Sequence, residues 1–233
     1  MIDKNKLQEN IRVINAKIEE AALRSSRKRG DIMLVAVTKT VAPEVVEMAI
    51  EEGIRIFGEN RVQEAADKIP KFSTEVIWHM VGHLQTNKAK IAAKLFDTIH
   101  SLDSIKLAQI IDRYAQEAGK IQKCLIEVNL ACEESKNGMN PGGIRRFLEE
   151  AASLRNISII GLMTVPPYDP DPEKSRPFFR QMKELADEIS GWGIQGITMQ
   201  ELSMGMTEDF AVAIEEGATM VRVGRGIFGE RPS

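Results

Sequence analysis

Eight times along this chain a short apolar run gives way to a segment of helical spacing, and that alternation restricts its folds more than any single residue does. The strand-like runs are IMLVAV (Ile32 to Val37), IRIFG (Ile54 to Gly58), VIWHMVG (Val76 to Gly82), TIHS (Thr98 to Ser101), KCLIEVNL (Lys123 to Leu130), IIGLMTV (Ile159 to Val165), ITMQELSM (Ile197 to Met204) and TMVRVG (Thr219 to Gly224). Between them lie amphipathic stretches such as PEVVEMAIEEG, SIKLAQIIDRYAQEAG and KSRPFFRQMKELADEIS, several opened by Ser, Asp or Pro and closed by Gly or Asn. A strand that returns through a helix pairs parallel to its successor. About eight such units in 233 residues fit an α/β chain forming a single (β/α)8 TIM barrel domain over residues 1–233. An open doubly wound sheet uses the same alternation and is the competing architecture. Ahead of the first strand, Leu7, Ile11, Ile14, Ile18 and Ala21 fall at helical intervals. An extra N-terminal helix would therefore cover the face left bare after the last strand, which almost nothing follows.

Charge and hydropathy then exclude whole classes of partner. Lys and Arg number 31 against 34 Asp and Glu, a net charge of −3 that argues against a surface built to coat nucleic acid. No apolar run approaches the roughly 20 residues of a membrane span, and MIDKNKLQEN lacks the apolar core of a signal peptide. The expectation is a cytoplasmic protein with neither nucleic acid nor membrane as a partner. Cys124, inside CLIEVNL, reads as core; Cys132 falls in a loop, and the pair lacks metal-ligand spacing.

In either architecture active sites gather at the carboxyl ends of strands, so the residues there form one set. The set is Lys39; Glu59 and Asn60; His79, Gly82 and His83; Ser101; Asn129; Met163 and Thr164; Ser203; and Arg222 with Gly224. Alone, Lys39 is a charge on a sheet rim. Its company supports a second reading. VRVGRGIFGERP puts Gly224, Gly226 and Gly229 past the last strand, where glycines let backbone N–H groups approach an anion and where barrels often hold phosphate. Tight turns would use the same glycines. Ser203 and Gly205 of SMGM stand at the preceding strand end, and Glu208 and Asp209, after a Thr207 read as a helix cap, already occupy the next helix dipole. The anion therefore belongs nearer Ser203 and Gly224. Closure of a barrel makes the first and last strands neighbours, so the lysine and the phosphate cradle meet. That pairing points to a phosphorylated aldehyde held as a Schiff base, of which pyridoxal phosphate is the best known. Arg222 would donate to an unprotonated ring nitrogen, since arginine stays charged.

The motifs AVTK, FGENRVQE, WHMVGHLQTNK, HSLDS, VNLACEESKNGM, GLMTV, LSMGMTEDF and MVRVGRGIFGER, in this order, resemble those of the pyridoxal-phosphate homeostasis protein family, also called the proline-synthetase-associated family. The likeness runs from the first strand to the C-terminus. It implies a single barrel like the N-terminal domain of alanine racemase, with pyridoxal 5'-phosphate on Lys39. It also implies phosphate binding by Ser203 and the turn Gly224 to Gly226, ring-nitrogen contact by Arg222, and pocket positions for Asn60 and His83. Where many members read GTAIFG this chain reads GRGIFG, so at Arg225 a side-chain hydroxyl is lost and the backbone N–H is what stays available.

The related racemases use a second base, a tyrosine from an additional domain. Tyr114 lies in a helical stretch and Tyr168 in the loop PPYDPDP, neither at a strand end. With one base and a neutral ring, two-base racemisation is not expected. The resemblance implies a monomeric, non-catalytic carrier that controls pyridoxal phosphate supply, with cofactor-dependent apoenzymes as recipients. A weak amino-acid racemase is the alternative, and a Schiff-base aldolase acting on a sugar phosphate is a further rival. His79 and His83, four apart, would bind metal on a helix, but Gly82 and the strand pattern break that face. PPYDPDPEKSRP reads as a surface loop or a lid over the mouth, and Lys136 in EESKNGM as an amine able to shift toward the pocket.

Overall fold

The structure, a computed structural model, describes residues 2–72, 75–133 and 136–230. Glu134 and Ser135 of the EESKNGM run, and Arg231 and Pro232 of the terminal motif, lie outside the described residues. The chain opens with α1 (Lys4–Arg24) and continues β1 (Met33–Val37), α2 (Pro43–Glu51), β2 (Ile56–Glu59), α3 (Val62–Lys68), β3 (Ile77–Met80), α4 (Ala89–Leu95) and β4 (Thr98–Leu102). It proceeds through α5 (Ile105–Glu117), β5 (Gln122–Glu127), α6 (Ile144–Ala151), β6 (Ile157–Met163), α7 (Arg176–Ser190), β7 (Ile197–Ser203), α8 (Phe210–Glu215), β8 (Met220–Val223) and the single turn α9 (Arg225–Phe228). Each strand-like run of the sequence carries a strand, though several strands stop short of their runs. The eight strands pair in parallel in chain order, and β8 returns to β1 through Met33↔Met220, Leu34↔Val221, Val35↔Arg222 and Ala36↔Val223. The sheet is therefore a closed barrel and the doubly wound alternative is excluded.

Local signals set the helices. Asp3 caps α1 by accepting from Lys6 N at 2.8 Å, Pro43 opens α2, and Ser104 caps α5. Leu7, Ile11, Ile14, Ile18 and Ala21 form the buried stripe of α1, which packs on α8, α9 and α2. Asn10 Nδ2 fixes it further by donating to Ile227 O at 2.9 Å. The extra helix thus occupies the place a full last crossover helix would have filled.

Alternation along each strand separates two interiors. Leu34, Ala36, Phe57, Trp78, Ile99, Cys124 and Ile126 face the helices and join the large outer core. Leu125, Met163 and Met220, with Met33 and Ile160 against them, form a smaller cluster inside the barrel. Residues of the second parity carry the chemistry at the strand ends. Gly161 shows how tightly the wall is built there, because β6 and β7 shift register beside it and an added Cβ would lie 1.8 Å from Glu201 O. Gly161→Ala is expected to cost about 3 kcal/mol, the upper end of the usual overpacking range, since backbone rather than a flexible side chain must move. Urea unfolding reads this directly, and a loss under about 0.5 kcal/mol, ordinary for a surface change, contradicts it.

Candidate functional site

Lys39 lies two residues past the end of β1 on the lumen parity, whereas its neighbour Thr38 faces the helices. Beneath that turn is a buried polar cluster. Thr38 Oγ1 donates to Glu59 Oε1 at 2.6 Å; Lys68 Nζ donates to the same oxygen at 2.7 Å, to Thr38 O at 2.8 Å and to Glu64 Oε1 at 2.9 Å. Glu59 is fully buried, which pushes its carboxyl upward; Lys68, also buried, pulls the other way. Glu64 Oε1 accepts from Thr40 N at 2.6 Å and holds Thr40 at φ +63°. A β-branched residue rarely adopts that conformation, and its place directly after Lys39 marks a turn that the surrounding bonds enforce. Among the described residues Lys39 Nζ has neither an ion pair nor a hydrogen-bond partner, in contrast to Lys68.

Two cavities of about 570 Å³ each adjoin at the C-terminal face and share Val37, Gly224 and Arg225 as common wall. Lys39 lines the first with Thr40, Val41 and Val45; Asn60, Met206, Thr207 and Arg222 line the second. Of the residues expected after β7 and β8, Gly224 and Arg225 thus line the first cavity with the lysine, and Arg222 lines the second. Arg222 is buried, uses two of its five N–H donors on Ser203 Oγ and Thr164 O, and lines the second cavity with three donors not used on protein acceptors among the described residues. Burial lowers its pKa to about 10, which leaves it charged near neutrality.

Four residues take different stations from those the sequence suggested. Ser203 is 0% exposed, lines neither cavity and has its hydroxyl engaged by Arg222 and by His100 Nδ1, whereas Thr207 lines the second cavity. Thr207 is not a helix cap. The helix begins at Phe210, and Asp209 accepts from Met206 N at 2.6 Å and from Ser175 Oγ at 3.0 Å, folding the loop back until Thr207 Oγ1 accepts from Gly226 N at 3.4 Å. Spacing alone could not give this. Arg225 points toward Glu208, 3.6 Å away, and presents its half-exposed side chain to both cavities. His83 stands off the cavities, exposed, with Nδ1 3.4 Å from Asp103 Oδ2.

The rest of the set is as follows. Asn60 reaches the cavity because Gly82 lets the next strand end pass close by; a Cβ there would lie 2.4 Å from Asn60 O. Gly224 likewise sits where a Cβ would meet Val37 O at 3.2 Å. Lys136 lines the second cavity while paired with Glu133 at 3.1 Å, and Val165 to Asp169 of the proline-rich loop form its rim, with Tyr168 80% exposed. His79 turns into the barrel toward His100, away from His83, and no metal-holding group of three His, Cys, Asp or Glu is present among the described residues. Cys124 is buried, which raises its thiol to about 12.

Glu127, at the end of β5, was not singled out by sequence. Its Oε2 is buried without a hydrogen-bond partner among the described residues, and desolvation, then nearby Asp103, raise its pKa to about 7 against the pull of Arg222. The native state therefore binds this proton more tightly than the unfolded chain does. The stability so gained is complete below the ordinary carboxyl value of 4.5 and is lost as pH rises through about 7. Glu127→Gln is expected to match the parent protein in thermal unfolding at the acidic end of that window and to exceed it above neutrality. Parallel curves across the window would refute the assignment.

A parallel barrel with an N-terminal helix, a lysine after β1 that has no partner among the described residues, and an arginine and glycine turn after β8 defines the alanine racemase N-terminal class of barrel, and that family matches residues 2–232. The chain belongs to the pyridoxal phosphate homeostasis protein family. Relatives of that name from Aquifex aeolicus and Vibrio cholerae are 42% identical over 92% of this chain and 94% of theirs, and 37% identical over 97% and 96%. Among solved structures, an unknown protein from Bifidobacterium adolescentis superposes with a TM-score of 0.91 at 34% identity, covering 98% of both chains. Synechococcus elongatus PipY with pyridoxal phosphate bound gives 0.81 at 36%, over 91% of this chain and all of that one. An alanine racemase of Clostridium difficile gives 0.74 at 18% identity, over 98% of this chain and 57% of its own, and shows the shared fold.

Proposed function

We propose that this protein holds pyridoxal 5'-phosphate reversibly on Lys39 and serves to control its supply within the cytoplasm, as a monomer that releases it to cofactor-dependent apoenzymes. One observation carries the reading: the cavity lined by Lys39, whose amine has no partner among the described residues, adjoins the cavity lined by Thr207 and Arg222 across a common wall at Val37, Gly224 and Arg225. That donor set fits the group. Bound there, the cofactor would supply an aldehyde able to form a reversible Schiff base with an amine.

The residues divide the remaining work. Thr207, with the N–H groups of the turn Gly224 to Gly226, would hold the phosphate, and Arg225 would add positive charge beside it. Arg222 would donate to the ring nitrogen and, being charged, would leave that nitrogen unprotonated. Asn60 would border the ring. Ser203 acts from behind by holding Arg222. A neutral ring and the absence of a buried tyrosine on the cavity among the described residues favour holding over racemisation, since Tyr168 at the rim is solvated. The name of the curated relatives and the PipY complex support the same reading. Borohydride reduction of protein mixed with pyridoxal phosphate, followed by peptide mass spectrometry, is expected to place a phosphopyridoxyl group on Lys39. An unmodified Lys39 under saturating cofactor overturns the proposal.

A further inference from the structure

Barrel interiors are ordinarily filled by layers of branched aliphatic side chains. Here part of the interior is a polar chain drawn from four strands. Arg222 of β8 donates to Ser203 Oγ of β7; Ser203 Oγ lies 2.9 Å from Nδ1 of His100 on β4; and His100 Nε2 lies 2.9 Å from Nδ1 of His79 on β3. All four residues are buried. Burial holds both imidazoles neutral, taking His79 to about 4 and His100 well below its usual value, where His79 and Arg222 add repulsion.

A neutral imidazole carries one N–H, so such a chain has a direction. Arginine only donates, so Ser203 accepts from Arg222. The serine proton then goes to His100 Nδ1, His100 carries its own proton on Nε2 and gives it to His79 Nδ1, and His79 is protonated on Nε2. In the opposite sense His100 would donate to Ser203, and the serine proton would have no acceptor among the described residues. A buried donor left unmade costs about 1–3 kcal/mol, which selects the first direction.

We infer that His100, with its tautomer fixed by His79, is a positioning residue that keeps Ser203 an acceptor toward Arg222 and so aims the free guanidinium N–H groups at the ring nitrogen of a pyridine ligand. The inference rests on the proposed cofactor for the identity of that ligand, but the direction of the chain is a property of the protein alone.

Two measurements separate these. Nitrogen NMR of histidine-labelled protein without cofactor is expected to show His79 and His100 both protonated on Nε2, and neutral from about pH 5 to 8, across the range where free histidine titrates. A proton on Nδ1 of His100 overturns the inference. In the second, pyridoxal phosphate is titrated against an analogue in which carbon replaces the ring nitrogen. His100→Leu is expected to weaken the cofactor about 10-fold, equivalent to about 1.4 kcal/mol, while leaving the analogue unchanged. His100→Asn, whose Oδ1 can accept from Ser203, restores most of the loss. Equal weakening of both ligands in His100→Leu means a merely structural role and overturns the inference. Failure of borohydride to modify Lys39 in the parent protein would instead count against the proposed function, leaving the tautomer result to decide the direction of the chain.

Discussion

Lys39→Ala is expected to abolish the borohydride-stable adduct and to weaken pyridoxal phosphate binding by about 100-fold, or about 2.7 kcal/mol, with the fold intact. Residual binding should persist, because Thr207, the Gly224 turn and Arg222 belong to other strands and do not depend on the lysine. Lys39 Nζ has no partner among the described residues, so its removal orphans no buried group and the unfolding midpoint should move little. Equilibrium titration alongside urea unfolding tests both halves. Retained full affinity would show that the covalent link adds nothing, and a large loss of stability would show that Lys39 is structural.

Lys68→Met, at the opposite face of the same strand end, is expected to behave in the reverse way. Lys68 neutralises the fully buried Glu59, whose Oε2 already lacks a partner, and also ties down Thr38 O and Glu64. Removing one partner of a buried pair leaves an uncompensated charge and costs about 3–5 kcal/mol. The double variant Glu59→Gln, Lys68→Met should recover part of this, because no lone charge is then buried. A double-mutant cycle on urea unfolding measures the coupling. Additive single losses, or a Lys68→Met loss under about 1 kcal/mol, which is what an exposed pair gives, would sink the argument. Release of Glu64 from Lys68 should also relax the turn at Thr40, so cofactor capture on Lys39 is expected to slow in this variant even where it folds.

Much of this was legible in advance. The alternation of apolar and amphipathic segments set the eight strands, the spacing of Leu7, Ile11, Ile14, Ile18 and Ala21 set the covering helix, and the order of the strand ends put Lys39, Asn60, Arg222 and Gly224 at one face. These are local properties, because side-chain period and strand polarity are carried by the chain itself. The engagement of Ser203 below the cavity, the placing of Thr207 on its wall, the displacement of His83 toward Asp103 and the pairing of His79 with His100 were not local. Each depends on how far one strand is shifted against another and on where a loop is tied, as with the register changes between Cys124 and Leu125 and between Ile159 and Gly161. The sequence by itself determined which residue types stand at the barrel mouth. Only the tertiary structure decided which of them face the cavity and which hold the others in place, because hydrogen-bond partners from distant strands are chosen by register and burial.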